Sequence, residues 1–116
     1  MQSVPFEIKE VHGGFSEARG AAYVEGDALV LEVQTSLLGL FPRPPRAYRV
    51  ELVDLEEVRH KRGLRRDRVT IRTRPLDRIT GVPGAGQGEL CLFVKRSHRA
   101  ALDTLLDRLD LWRTTE

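Results

Sequence analysis

The chain is poor in the residues that form disulfides and stacking surfaces. One cysteine, Cys91, occurs among 116 residues, so no disulfide can form within the chain. Aromatic residues make up 6%, and none lies between Tyr48 and Phe93. Proteins that bind single-stranded nucleic acid combine a basic groove with stacking aromatic side chains. The scarcity of aromatic residues therefore argues against nucleic acid as a partner.

Long apolar runs are also missing. No run approaches the roughly 20 residues that a membrane-spanning helix needs, so the sequence predicts no transmembrane segment. The start of the chain lacks the pattern of a secretory signal, and a lone cysteine suits a reducing compartment, so we expect a cytoplasmic protein. A hydrophobic content of 41% in 116 residues is enough for one core. We predict one domain over residues 1–116, with its core at about 15–112.

Apolar and polar residues alternate in several short segments, which predicts a mainly β fold. The clearest strand is at 28–34, and it follows a strand at 19–25 through Gly26-Asp27, a pair that suits a tight hairpin turn. Further strands are predicted at 47–53, 55–62, 68–74 and 89–96, with a possible short strand at 76–79. The segment at 55–62 alternates weakly and could instead start with a helical turn.

A helical period follows the last predicted strand. Its apolar stripe consists of Leu102, Leu105, Leu106, Leu109 and Trp112. Ser97 precedes the stripe and is a residue type that caps helix N-termini. The pattern predicts a C-terminal helix with Ser97 as its N-cap, packed over the strand at 89–96.

The order of these elements resembles that of pleckstrin-homology-like (PH-like) domains, in particular bacterial PH-like proteins. The resemblance is carried by the hairpin through Gly26-Asp27, the strand at 48–53, the hairpin through Gly63, and the strand at 89–95 leading into the helix that ends near Trp112. It implies a bent, partly open antiparallel β-barrel capped by the C-terminal α-helix. It also implies a platform for lipid headgroups, peptides or self-assembly.

Charge is distributed unevenly along the chain. The net charge is +2, yet residues 59–74, here called the basic hairpin, contain eight basic residues and one acid, Asp67. The eight are Arg59, Lys61, Arg62, Arg65, Arg66, Arg68, Arg72 and Arg74. Because crowded like charges repel, this composition favours an anionic partner. The alternative is a solvated edge whose arginines pair with Asp67, Glu51 or Glu57.

A second candidate contact surface is the apolar loop at 37–41. It contains Leu37, Leu38, Leu40 and Phe41, followed by prolines that end the strand. If exposed, such a patch is typical of contact with a protein or a membrane. The alternative is that these side chains fold back and plug an open end of the barrel.

No constellation typical of catalysis, metal binding or cofactor binding is apparent. His12, His60, His98 and Cys91 are scattered, without the spacing of metal ligands. The glycine-rich stretch at 81–88 matches no nucleotide-binding pattern and leads into a strand, so it is interpreted as a connector. We therefore expect no enzyme activity, no metal and no cofactor.

These features predict a non-catalytic interaction module. It would bind a protein partner, or its own copies as a homo-oligomer, through the apolar loop and strand edges, and the basic hairpin would add electrostatic selection. The alternative is peripheral binding to anionic membrane lipid headgroups, with Leu40 and Phe41 inserted. Nucleic acid is the least favoured partner.

Overall fold

Nine strands and one α-helix form the part of the chain that the structure describes. The computed structural model describes residues 3–11, 16–37, 41–42, 44–79, 81–109 and 113–115. The strands are β1 (Val4–Val11), β2 (Ser16–Glu25), β3 (Ala28–Leu37), β4 (Phe41–Pro42), β5 (Arg46–Glu51), β6 (Leu55–Lys61), β7 (Arg66–Thr73), β8 (Glu89–Lys95) and β9 (Arg113–Thr115). The helix is α1 (Arg99–Arg108). The predicted mainly β fold with one C-terminal helix is confirmed.

The strands belong to one sheet that does not close on itself. Its order is β4-β3-β2-β1-β8-β7-β6-β9, and β5 also pairs with β3. Two antiparallel meanders meet where β1 pairs with β8, with Glu7 opposite Phe93. The short strand β9 lies parallel to β6. The open sheet agrees with the expected partly open barrel.

Strand β1 was not predicted from the sequence, although it joins the two halves of the sheet. Its residues Val4, Phe6 and Ile8 are buried in the core, so the core starts well before residue 15. The alternation was present, but Pro5 weakens a strand pattern because proline cannot donate a ladder hydrogen bond. The pairing of β1 on both sides supplies the stability that its sequence alone did not suggest.

The first hairpin follows the prediction. Gly26 has a φ of +59°, and Glu25 pairs with Ala28 across the two-residue turn. Within the same hairpin, a Cβ on Gly20 would collide with the carbonyl oxygen of Glu32. Glycine therefore permits a close approach of β2 and β3 that no other residue allows without a backbone shift.

The weak fourth strand is also confirmed, as β6. Its alternation breaks because the pairing register with β7 shifts between Leu55 and Glu57, which is typical of a β-bulge. Beyond Glu57 the register is regular, from Val58 opposite Ile71 to Lys61 opposite Arg68.

The helix begins later than predicted. Residues Arg96–His98 form a 3₁₀ turn, His98 occupies the N-cap position, and no side chain caps the helix, so the prediction of Ser97 as N-cap was wrong. A serine hydroxyl within a 3₁₀ turn is not placed to accept from the first helical N–H groups. The predicted stripe is otherwise confirmed, with Leu102, Leu106 and Leu109 each 1% exposed. Trp112 lies outside the described residues.

Two further predictions need correction. The possible short strand at 76–79 is a 3₁₀ helix, Leu76–Ile79. Proline and glycine surround this segment, and Ile79 is buried among core residues instead of pairing in the sheet. The strand at 89–96 is not the last, because β9 follows the helix. Three residues are too short for a periodic signal in sequence.

Candidate anion-binding surface

The basic hairpin forms an exposed surface on the outer face of the sheet. In β7 the residues Asp67, Val69, Ile71 and Thr73 are buried, and the alternating residues between them point outward. All eight predicted cations are exposed, namely Arg59, Lys61, Arg62, Arg65, Arg66, Arg68, Arg72 and Arg74. The basic side chains therefore lie on a solvent-facing surface.

Half of these cations form ion pairs with carboxylates. The pairs are Arg59 with Glu57 at 2.9 Å, Arg62 with Asp103 at 3.7 Å, Arg66 with Glu7 at 4.0 Å and Arg72 with Glu89 at 3.8 Å. Within the described ranges, no carboxylate lies within 4.0 Å of Lys61, Arg65, Arg68 or Arg74. Pairing along a solvated edge thus accounts for only part of the basic hairpin.

Like charges face one another near the turn of the basic hairpin. Lys61 is opposite Arg68 on β6 and β7, and Arg66 is opposite Lys95 on β7 and β8. One step beyond, the backbone N–H of Arg96 donates to the carbonyl oxygen of Arg65 at 2.9 Å. Like charges directly opposite on paired strands are destabilising. This end of the sheet therefore carries a repulsion that an anion would relieve.

The far end of the same strands has the reverse arrangement. Arg72 is opposite Glu57 on one side and Glu89 on the other, which gives favourable cross-strand pairs. The like-charged cross-strand pairs consequently lie at the end near the turn. They are a local feature and not a general property of these strands.

A groove of about 420 Å³ lies beside these residues. Its cationic lining, here called the basic groove, consists of Arg65, Arg66, Lys95 and Arg96, and the remaining lining residues are Glu7, Phe93 and Ser97. The half-buried Phe93 ring has the Lys9 ammonium 5.7 Å and the Arg66 guanidinium carbon 5.6 Å from its centroid. Both distances suit cation–π contacts, which hold the cations beside the ring.

An ionic network under the turn anchors the basic hairpin to the helix. The carboxylate of Asp67 is fully buried and accepts three hydrogen bonds from Arg99, Nη2 to Oδ1 at 2.6 Å, Nε to Oδ2 at 3.0 Å and Nε to Oδ1 at 3.2 Å. His60 Nε2 lies 2.8 Å from Oδ2, and the Gly63 N–H donates to Oδ1 at 3.2 Å. Arg99 Nη2 also donates to the Gly63 carbonyl oxygen at 2.7 Å. The turn is thus held from both sides of Gly63.

The sequence interpretation had Asp67 available to the exposed arginines, and that was wrong. Asp67 occupies an inward position of β7, on the same face as Val69 and Ile71, and its partners are His60 and Arg99. The signal was available in the alternation, which places an acid at an apolar position. Because a charge at such a position requires partners, a buried network could have been expected.

The network lowers the pKa of Asp67. Burial by itself raises the pKa of this carboxyl, but the hydrogen bonds from Arg99, His60 and the Gly63 N–H outweigh burial and bring the pKa from 3.8 to about 2. Asp67 is therefore ionised throughout the neutral range. Burying the charges of Asp67 and Arg99 carries a desolvation penalty, and the bidentate contact between them compensates for that penalty.

Two other reactive side chains, His60 and Cys91, are shielded from solvent to different degrees. His60 is 1% exposed, and its carboxylate partner Asp67 also binds the Arg99 guanidinium, so the three side chains connect β6, β7 and α1. Burial raises the pKa of the Cys91 thiol, only partly offset by a hydrogen bond with Thr70, so the thiol stays protonated at neutral pH. Among the described residues, no group of three or more potential ligands could hold a metal ion.

The apolar loop falls largely outside the described residues. Leu38 and Leu40 belong to the part that is not described, as does Gly39 between them. Leu37 ends β3 and is opposite Phe41 at the start of β4 in the backbone pairing. The role of Leu37, Leu38, Leu40 and Phe41 as a contact surface stays a prediction. His12 also lies outside the described residues.

Comparison with protein-family models, with curated proteins and with solved structures finds no match for this chain. The PH-like resemblance accordingly stays a prediction based on the order of the elements. In the described portion of the chain, the helix is too short and too polar to span a bilayer.

Proposed function

We propose that this chain is a non-catalytic interaction module that binds an acidic protein partner through the basic hairpin. The observation that carries the proposal is the set of like-charged cross-strand pairs, Lys61 with Arg68 and Arg66 with Lys95. A sheet that placed these charges for its own stability would oppose them with acids, as it does around Arg72. An acidic partner supplies the missing negative charge.

The uneven distribution of charge along the chain supports this proposal. The basic hairpin has eight basic residues and one acid, whereas acids outnumber basic residues in the rest of the chain. Such an asymmetry steers and orients an acidic partner during encounter and gives specificity through register. The predominance of arginine also suits bidentate contacts with carboxylates.

The turn of the basic hairpin is organised before any partner binds. Asp67 and Arg99 hold the N–H and the carbonyl oxygen of Gly63, so the backbone that carries Arg65 is fixed. A Cβ at Gly63 would collide with the carbonyl oxygen of Arg66, which shows how tightly the turn is folded. Preorganisation of this kind lowers the entropic cost of binding.

A second candidate is peripheral binding to an anionic membrane. Leu64, at the tip of the turn, is 89% exposed and is flanked in sequence by Arg62 and Arg65. One inserted leucine contributes about 1.5 to 3 kcal/mol, and each basic residue near the surface about 1 kcal/mol. The apolar loop of Leu37, Leu38, Leu40 and Phe41 would contribute to either candidate, and at a membrane Leu40 and Phe41 would insert. A cytoplasmic location accompanies both proposals.

The experiment is a titration of the protein with a fluorescein-labelled peptide rich in Asp and Glu, followed by anisotropy at low and high salt. We expect binding that weakens as salt rises and that falls at least tenfold in the variant Lys61→Gln/Arg68→Gln. The matched control is Arg49→Gln/Arg78→Gln, which removes two exposed charges outside the basic hairpin and leaves affinity unchanged.

Two further arms separate the candidates. If the protein binds anionic vesicles more tightly than the peptide, and Leu64→Ser abolishes that binding, the membrane proposal replaces the protein-partner proposal. Tighter binding to a single-stranded oligonucleotide would replace it with nucleic acid. Absence of peptide binding at low salt would overturn the proposal.

A further inference from the structure

We infer that the basic groove is a binding site for a phosphate group carried on a side chain of the partner protein. The inference rests on the proposed function, because it names the group that the acidic partner presents. Its starting point is the convergence of Arg65, Arg66, Lys95 and Arg96 on one groove of about 420 Å³.

The charge of the groove exceeds what one carboxylate can neutralise. Four cations line it, and Glu7 is the acid among the lining residues. Glu7 contacts Arg66 at 4.0 Å, the limit of an ion pair, and both side chains are 44% exposed. A carboxylate brings one negative charge, whereas a phosphate monoester brings about 1.5 to 2 at neutral pH. The excess of positive charge therefore matches a phosphate better than a single Asp or Glu.

The donors also suit the geometry of a phosphate. Arg65 lies in the turn before β7 and Arg66 starts β7, while Lys95 ends β8 and Arg96 begins the 3₁₀ turn that follows. Donors on two neighbouring strands can approach several oxygens of one tetrahedral anion, while a planar carboxylate is satisfied by a single guanidinium fork. Ser97 also lines the groove.

Two of the cations have restricted positions. The Arg66 guanidinium lies over the Phe93 ring at 5.6 Å from its centroid. The Arg96 backbone N–H donates to Arg65, and its Nη1 lies 3.5 Å from the carbonyl oxygen of Leu64. These contacts bring the end of β8 and the turn together on one side of the groove. The ring of Phe93 already has two cations beside it, so the groove favours a phosphate without a stacked base.

The test compares two forms of one labelled peptide, rich in Asp and Glu with a single central serine that is either free or phosphorylated. For the wild-type protein we expect the phosphorylated form to bind at least about tenfold more tightly, from one or two added charge-assisted hydrogen bonds. In Arg66→Gln/Lys95→Gln that preference should disappear. In the matched variant Arg68→Gln/Arg74→Gln both forms should weaken together and the preference should remain.

The outcomes separate the inference from the proposed function. Equal affinity for both peptides in the wild-type protein overturns the phosphate-binding site but not the proposal of an acidic protein partner. A preference that survives Arg66→Gln/Lys95→Gln also overturns it, because the phosphate then binds elsewhere. Failure of both peptides to bind overturns the proposed function itself. Thermal unfolding of each variant verifies that it is folded. A third experiment uses vesicles that contain a phosphorylated lipid. If the protein binds these vesicles more tightly than the phosphopeptide, the inference that a protein side chain carries the phosphate is overturned.

Discussion

Arg99, in the first turn of α1, binds the buried carboxylate of Asp67 in β7 through two nitrogen atoms, at 2.6 and 3.0 Å. Arg99 is 23% exposed at its side chain and Asp67 is 0% exposed, so the pair spans the boundary between solvent and core. It joins residues 32 positions apart in sequence. The contact links the helix to the strand that carries much of the basic hairpin.

Removing the charge of Asp67 should destabilise the fold. Asp67→Asn leaves Arg99 without its ionic partner and disturbs the hydrogen bonds to His60 and Gly63. We expect a loss of about 3 kcal/mol in the free energy of unfolding, the lower end of the range for breaking a buried ion pair, because Arg99 retains access to water. Urea unfolding measures it. The control is Asp103→Asn, at a partly exposed position, which removes the partner of Arg62 and should cost less than about 1 kcal/mol.

The same carboxylate should make stability depend on acid pH. Its pKa is lowered from 3.8 to about 2 on folding, so its contribution is fully present above about pH 4 and is lost as the pH falls towards 2. A shift of this size corresponds to about 2 kcal/mol. Urea midpoints measured between pH 5 and pH 2 should fall more steeply for the wild-type protein than for Asp67→Asn. Parallel curves for the two proteins would contradict the assignment.

Removing the like-charge repulsion should increase the stability of the fold and weaken the binding of an acidic partner. Lys95→Glu places an acid opposite Arg66, converting a repulsive cross-strand pair into an attractive one. We expect a gain of about 0.5 kcal/mol in the free energy of unfolding, together with weaker binding of an acidic peptide. Chemical unfolding and peptide titration on the same sample test both effects. A stability decrease, or unchanged affinity, would count against the role given to this pair.

Docking of the helix depends on its apolar stripe. Leu106 is 1% exposed and lies in the core cluster, so Leu106→Ala should lower the free energy of unfolding by about 2 to 5 kcal/mol. Thr104→Ala serves as the control, because Thr104 is exposed on the same helix and alanine has a high helix propensity. Comparable losses in the two variants would contradict the orientation of the helix.

Local patterns predicted much of the fold. Alternation predicted six of the strands, Gly26-Asp27 predicted the first turn, and a helical period predicted the face that α1 buries. The register between β1 and β8, which joins the two meanders, depends on pairing between residues far apart in sequence. No local pattern contains that information, and Pro5 lowered the strand signal of β1.

The candidate surface was predicted in composition but not in arrangement. The sequence placed the cations on one hairpin, and the structure adds that Arg66 and Lys95 face each other across β7 and β8. That opposition depends on a register that sequence does not state. The buried network was missed because Asp67 was interpreted as one acid among many exposed arginines, although its inward position followed from the alternation of β7.

The most direct test of an acidic-partner surface is a ¹H–¹⁵N NMR titration of the full chain with the peptide rich in Asp and Glu at low salt. Our account predicts that amide shifts concentrate at 61–68 and 93–97, where the like-charged pairs and the basic groove lie. Shifts confined to 44–51, on the opposite edge of the sheet, or no shifts at all, would contradict it.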